Sequence, residues 1–171
     1  MSVSLLLVTG ASAAGKTTLV DALARRSRPG LVLYHFDSIG VPAPEAMIAE
    51  FGSGEAWQAA MTERWVDRLA RNPDGATAMV LEGQMRPHII RNTWPDHSNV
   101  HYRIVLADCS PEVRQARLAG PRAQPHLASA EMDSWAAYLR GQADALDLPI
   151  VDTSRQTIDQ CVAELEELLL Q

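Results

Sequence analysis

The stretch Gly10-Ala11-Ser12-Ala13-Ala14-Gly15-Lys16-Thr17-Thr18 constrains this chain more than any other. It follows the apolar run Val3-Ser4-Leu5-Leu6-Leu7-Val8 and leads into Leu19-Val20-Asp21-Ala22-Leu23-Ala24. The order is therefore strand, small-residue loop and helix start, with the spacing G-x-x-x-x-G-K-S/T. Gly10 and Gly15 allow backbone conformations that a side chain would forbid and let the loop come close to a ligand. The N–H groups of Ala11 to Ala14, and those opening the following helix, can then face a polyphosphate, with the helix dipole favouring its charge. Lys16 reaches the β- and γ-phosphates, the Thr17 hydroxyl completes a Mg²⁺ shell, and Thr18 continues the first helical turn. The motif implies binding of a nucleotide's phosphates.

At 171 residues the expectation is one domain, residues 1–171, with enough chain to bury a core. The net charge of -6, with no long Lys/Arg block, argues against a nucleic-acid partner or a membrane surface. No apolar run approaches the ~18 residues that would span a bilayer. The first apolar run has no basic region ahead of it and runs straight into the loop, so it reads as a strand and not a signal peptide. Cys109 and Cys161 are isolated and have no histidine at metal-ligand spacing, which fits neutral thiols in a cytoplasmic protein.

Along the chain, the first helix is expected from Lys16 to about Arg26, ending before Pro29-Gly30. Leu31 to Phe36 reads as a second strand that delivers Asp37 and Ser38 to its carboxyl end, the edge where open α/β sheets bind ligands. Residues 42–72 read as helical, broken at Gly52-Ser53-Gly54. Trp57, Met61, Trp65 and Leu69, four apart, form an amphipathic stripe that faces the core or supplies Trp57 or Trp65 to an acceptor pocket. Strands follow at Thr77–Leu81 and Val100–Leu106, the latter with His101 and Arg103 on an exposed face. Ser110-Pro111-Glu112 opens a helix to Leu118, on which Arg114 is expected to face water. A Gly/Pro-punctuated loop leads to a helix at Ser129–Ala145, a short strand at Leu148–Val151 ending in Asp152-Thr153-Ser154, and a terminal helix. Strands alternating with helices imply a three-layer α/β domain with a parallel sheet.

This order of features resembles the small P-loop kinases of the nucleoside-monophosphate-kinase type, which include adenylate, shikimate and gluconate kinases and chloramphenicol phosphotransferases. The resemblance implies a P-loop NTPase fold with a five-stranded parallel sheet in the order 2-3-1-4-5 and helices on both faces. It implies ATP and Mg²⁺ as cofactors, an acceptor-binding helical insertion at about 38–72 and a lid at about 118–128. Asp37, in Phe36-Asp37-Ser38-Ile39, resembles the strand-two aspartate that contacts the acceptor hydroxyl. Glu82-Gly83-Gln84-Met85-Arg86 resembles the Asp-Gly-x-x-Arg segment after strand three. Arg117 and Arg122 look like lid arginines, and Asp152-Thr153-Ser154 like the turn that borders adenine. The loop lacks the adenylate-kinase form, Glu82 stands for the usual Asp, and lid arginines are sparse, which points to an acceptor smaller than a nucleotide.

Phosphoryl transfer needs positioning and charge neutralisation more than covalent chemistry. Lys16 is assigned to the phosphates, and Asp37, with Ser38 beside it, to the acceptor hydroxyl; the alternative for Asp37 is a helix cap or turn. Thr17 and Glu82 are the candidate Mg²⁺ residues, and Glu82 is equally readable as a strand-end carboxylate. Arg86 either clamps an anionic group or is an exposed arginine at a helix start. Arg117 and Arg122 are assigned to stacking on adenine and to transition-state charge. The sequence lacks Asn-Lys-x-Asp for guanine and any GxSxG or HExxH motif. The expected function is ATP-dependent phosphorylation of a hydroxyl on a small molecule of antibiotic, sugar or nucleoside type. The alternatives are a nucleoside monophosphate kinase and a regulatory ATP-binding switch.

Overall fold

The computed structural model describes residues 2–26, 29–120 and 123–171. Its sheet has five parallel strands: β1 (Val3–Thr9), β2 (Leu31–His35), β3 (Ala78–Gly83), β4 (Val100–Asp108) and β5 (Ile150–Asp152). They lie in the order β2-β3-β1-β4-β5, as the resemblance implies. Both faces of the sheet are covered, which is why β1 is apolar along its length instead of alternating. Leu5 and Leu7 enter one core and Leu6 and Val8 the other.

On the first face sit α3 (Gly54–Ala70) and α4 (Pro87–Thr93). The four-residue stripe of α3 packs there: Trp57, Met61, Trp65 and Leu69 are all buried against Leu5, Met79 and Leu81. Trp65 also donates from Nε1 to the Phe36 carbonyl at 3.2 Å. The second face holds α1 (Lys16–Arg25) and α7 (Ile158–Leu170), joined at the surface by Arg26, which pairs with Glu166 at 2.6 Å and Asp159 at 3.3 Å. The remaining helices are α2 (Pro44–Phe51), α5 (Pro111–Ala119) and α6 (Ala130–Ala145). Among the described α-helices, α4 has no expected bounds in the sequence, because about two turns around Ile89-Ile90 are too short to display a period.

Side-chain caps fix several helix starts. Ser53, Ser110, Ser129 and Thr157 each accept a first-turn N–H, and Thr157 forms a capping box with Gln160. His101 and Arg103 are exposed, as the alternation in β4 anticipates. Arg114 departs from expectation. It is 3% exposed, donating to the Cys109 carbonyl at 3.0 Å and pairing with Asp133 at 3.2 Å and Asp108 at 3.5 Å. Its partners come from β4 and α6, so the periodicity of its own helix carried no sign of them. Among the described residues no helix is long and apolar enough to cross a membrane, and both cysteines are free and buried.

Candidate active site

The loop after β1 sits at the carboxyl edge of the sheet, between the ends of β3 and β4, where strand connections diverge. Its base is clamped from two sides. The Thr9 hydroxyl donates to the Met85 carbonyl at 2.7 Å and accepts the Met85 N–H at 3.2 Å. Gly10 lies so close to β4 that a Cβ there would stand 2.3 Å from the Ala107 carbonyl oxygen. Ala13 and Gly15 both have left-handed backbones, with φ of 62° and 96°, which is the local geometry of an anion-binding nest. Gly15 precedes α1 with no side-chain cap, leaving first-turn N–H groups to a ligand. The Lys16 ammonium folds over this cradle, 2.9 Å from the Ala11 carbonyl.

A cavity of about 570 Å³ runs across the loop. At one end it is lined by Lys16, Thr17, Asp37 and Glu82, and at the other by Arg117 and Thr153. At the first end, Thr17 Oγ1 donates toward Glu82 Oε1 at 3.4 Å, and the same oxygen meets His35 Nδ1 at 2.8 Å. Glu82 Oε2 has no partner among the described residues. A hydroxyl and a carboxylate converging beside a phosphate cradle form a hard-oxygen donor set that fits Mg²⁺. No cluster of three or more His, Cys, Asp or Glu capable of holding a metal occurs among the described residues.

Asp37 and Ser38 lie on the single 3₁₀ turn Phe36–Ile39 that ends β2. Ser38 Oγ donates to the His35 carbonyl at 2.7 Å, and the turn has no side-chain cap. The Asp37 carboxylate is exposed, lines the cavity and has no hydrogen bond or ion pair among the described residues. Asp37 lies inside this turn and its side chain caps nothing there.

At the other end, Arg117 on α5 donates from Nη1 to the Ala13 carbonyl and to Thr153 Oγ1, each at 3.0 Å. Its Nη2 donates to the Thr153 carbonyl at 2.9 Å. The guanidinium thus bridges the loop and the turn after β5 at the cavity's far wall. Thr153 Oγ1 in turn lies 2.8 Å from the Ala14 carbonyl. Asp152 shapes the turn, accepting the Ser154 N–H at 2.9 Å and facing Arg155 at 3.5 Å. Cys161 forms part of this wall, and burial raises its thiol pKa and keeps it protonated. Burial likewise raises Cys109, which sits under Ala13.

Ser38, Asp152, Trp57 and Arg86 are not among the residues that line the cavity. Trp57 is a packing residue, 7% exposed and edge-on to Phe36 at 6.2 Å, rather than a contact for an acceptor. Arg86 is neither exposed nor open to an anion. Its Nη2 pairs with Glu55 at 3.1 Å, its Nε donates to Gln58 at 3.1 Å, and its guanidinium lies 4.8 and 4.9 Å from the Trp135 and Tyr138 rings. Arg122 lies outside the described residues. The sequence reading missed Thr9, His35 and Gln84, whose amide donates to Ser12 Oγ at 3.2 Å. Only the register between strands that are not consecutive reveals them.

A phosphate loop of this form at the carboxyl edge of a 2-3-1-4-5 sheet defines the fold of small P-loop kinases of the nucleoside-monophosphate-kinase type. No protein-family model and no curated protein sequence matches the chain. Solved structures do share its fold. Shikimate kinase from Acinetobacter baumannii, in complex with shikimate, superposes with a TM-score of 0.63 at 14% identity, covering 99% of this chain and 94% of that one. The APS kinase of Mycobacterium tuberculosis, in complex with AMPPNP and APS, gives 0.64 at 15% identity with 99% of each chain covered. A gluconokinase from Sinorhizobium meliloti 1021 gives 0.59 at 16% identity, over 98% and 91%. The likeness is one of fold.

Proposed function

We propose that this protein is an ATP- and Mg²⁺-dependent phosphotransferase that moves the γ-phosphate to a hydroxyl of a small molecule in the cytoplasm. One observation carries the reading: the unpaired carboxylate of Asp37 opens into the same cavity as the phosphate cradle and Lys16. Similar folds belong to kinases named for shikimate, gluconate and APS, all small molecules.

In this reading the loop N–H groups and Lys16 hold the β- and γ-phosphates, and Thr17 with Glu82 would hold Mg²⁺. Mg²⁺ held there would offset the charge that builds as the γ-phosphoryl group moves. Asp37 orients the acceptor hydroxyl and takes its proton as the oxygen attacks phosphorus and the bond to the β-phosphate oxygen breaks, releasing ADP. Arg117 supplies a planar face for adenine beside Thr153, with its own donors anchored on backbone. Residues 38–72 are assigned to the acceptor side and residues 118–128 to the lid, of which 121 and 122 lie outside the described residues.

The acceptor is a neutral or weakly charged hydroxylated compound of antibiotic, sugar or nucleoside type. A nucleoside monophosphate requires a cation for its phosphate, and Arg86, the position that resembles the nucleotide-kinase arginine, is committed to Glu55 and Gln58. A phosphotransfer screen with ATP and Mg²⁺ over sugars, antibiotics, nucleosides and nucleotides tests this. Turnover above background hydrolysis with a non-nucleotide acceptor supports it. Turnover confined to nucleotides favours the monophosphate kinase. Hydrolysis that no acceptor stimulates favours a regulatory ATPase.

A further inference from the structure

Parallel pairing of β2 with β3 sets His35 opposite Glu82. The histidine Nδ1 lies 2.8 Å from Glu82 Oε1. A carboxylate only accepts, so Nδ1 carries a proton and the tautomer is fixed by the contact. The two side chains divide the space unequally: Glu82 is 10% exposed and lines the cavity, while His35 is 44% exposed and does not. His35 therefore meets the cavity only through Glu82.

Glutamate carries one more rotatable bond than the aspartate usual at this place, and a longer arm samples more positions. Of the two Glu82 oxygens, Oε1 is taken by His35 and, at a long 3.4 Å, by Thr17. Oε2 has no partner among the described residues, on a residue that lines the cavity. We propose that His35 is a positioning residue that locks the Glu82 carboxylate into the geometry needed for the metal–nucleotide complex. The inference rests on the reading of Thr17 and Glu82 as the Mg²⁺ side of the site. It assigns His35 a task of the kind outer-sphere partners perform at metal centres, where their loss typically weakens metal affinity about 10- to 100-fold.

The test measures binding without turnover. Mn²⁺ serves as the probe, its affinity for the complex of protein with a non-hydrolysable ATP analogue read by electron paramagnetic resonance. Circular dichroism melts accompany each variant. His35→Ala is expected to weaken Mn²⁺ binding roughly tenfold, while metal-free analogue binding stays at the wild-type value. His35→Asn, whose amide nitrogen can donate from nearly the same place as Nδ1, is expected to recover most of the loss, and His35→Leu, which keeps bulk without a donor, replaces the alanine variant if that one does not fold. In a Glu82→Asp background, where the carboxylate is drawn back from the imidazole, His35→Ala is expected to add little, the mark of action through Glu82. Unchanged Mn²⁺ affinity in both His35 variants overturns the proposal, as does an equal His35 effect in the Glu82→Asp background. If the wild type itself gains no Mn²⁺ affinity from the analogue, the metal-site reading fails first, and the two failures are thereby separable.

Discussion

Arg114 offers a quantitative test of how the cavity's far wall is held. Replacing it with Met keeps most of its length and removes the charge. The largest loss is the buried, charge-assisted hydrogen bond to the Cys109 carbonyl, 3.0 Å long, of a kind worth about 1.5–3 kcal/mol. The pair with Asp133 adds less than about 1 kcal/mol, because that aspartate is 42% exposed and water screens it. Asp108 is not orphaned, since Arg140 at 3.5 Å and the Cys109 N–H at 2.9 Å remain. Breaking a fully buried pair costs about 3–5 kcal/mol, a figure that does not apply here for that reason. A further offset comes from Arg114 Nε, buried without a partner, whose removal relieves a desolvation penalty of about 1 kcal/mol. The balance is a destabilisation of about 2 kcal/mol, or roughly 4–8 °C in Tm for a chain of this size.

Urea unfolding followed by tryptophan fluorescence measures it, with the slope m unchanged if only stability has moved. Asp133→Asn is the internal control and should cost no more than about 1 kcal/mol. Because Arg117 lies one helical turn further along α5, Arg114→Met should also weaken nucleotide binding by loosening the seat of that arginine. Arg114→Met within about 0.5 kcal/mol of wild type refutes the reasoning. So does an Asp133→Asn variant that costs as much as Arg114→Met.

Three further outcomes are expected. Lys16→Ala should abolish phosphotransfer and weaken nucleotide binding in calorimetric titrations, because its ammonium folds directly over the phosphate cradle. Asp37→Asn should lower kcat about 10²- to 10⁴-fold with ATP affinity unchanged, as its carboxylate contacts nothing else; wild-type kinetics would remove Asp37 from the mechanism. The Tyr34 phenol, raised to about 12 chiefly by burial and next by its bond to Asp74, should resist titration. Its folded pKa exceeds the ordinary ~10, so its contribution to stability is whole below pH ~10 and fades as pH rises through about 12. The phenolate absorbance of wild type and Tyr34→Phe checks this, the last titration step vanishing in the variant.

The layers of the fold and the donor half of the site were legible because they are local. The phosphate loop is contiguous, and the stripe of α3 repeats every four residues, so periodicity suffices. The acceptor half is assembled from separated segments. Glu82 and His35 meet because β3 lies between β1 and β2 in space, although β2 precedes it in sequence. Arg86 carried the expected spacing after Gly83, but its partners Glu55, Gln58, Trp135 and Tyr138 come from α3 and α6. Those contacts place it between two helices, a setting its own segment does not reveal. Arg114 likewise read as a surface residue from its own helix alone.

The central place of β1 also bears on how the chain is made. This strand leaves the ribosome ahead of both neighbours, β3 and β4, and its run Leu5-Leu6-Leu7-Val8 ends fully buried. Until β4 emerges, one edge of an apolar strand stays open, a condition that invites pairing with other nascent chains. The loop waits longer still: the hydroxyl resting on the Ala14 carbonyl belongs to Thr153, 139 positions onward. A segment made ahead of its neighbours is thus among the last completed, and a chain released before β5 would carry the phosphate motif without the scaffold that shapes it.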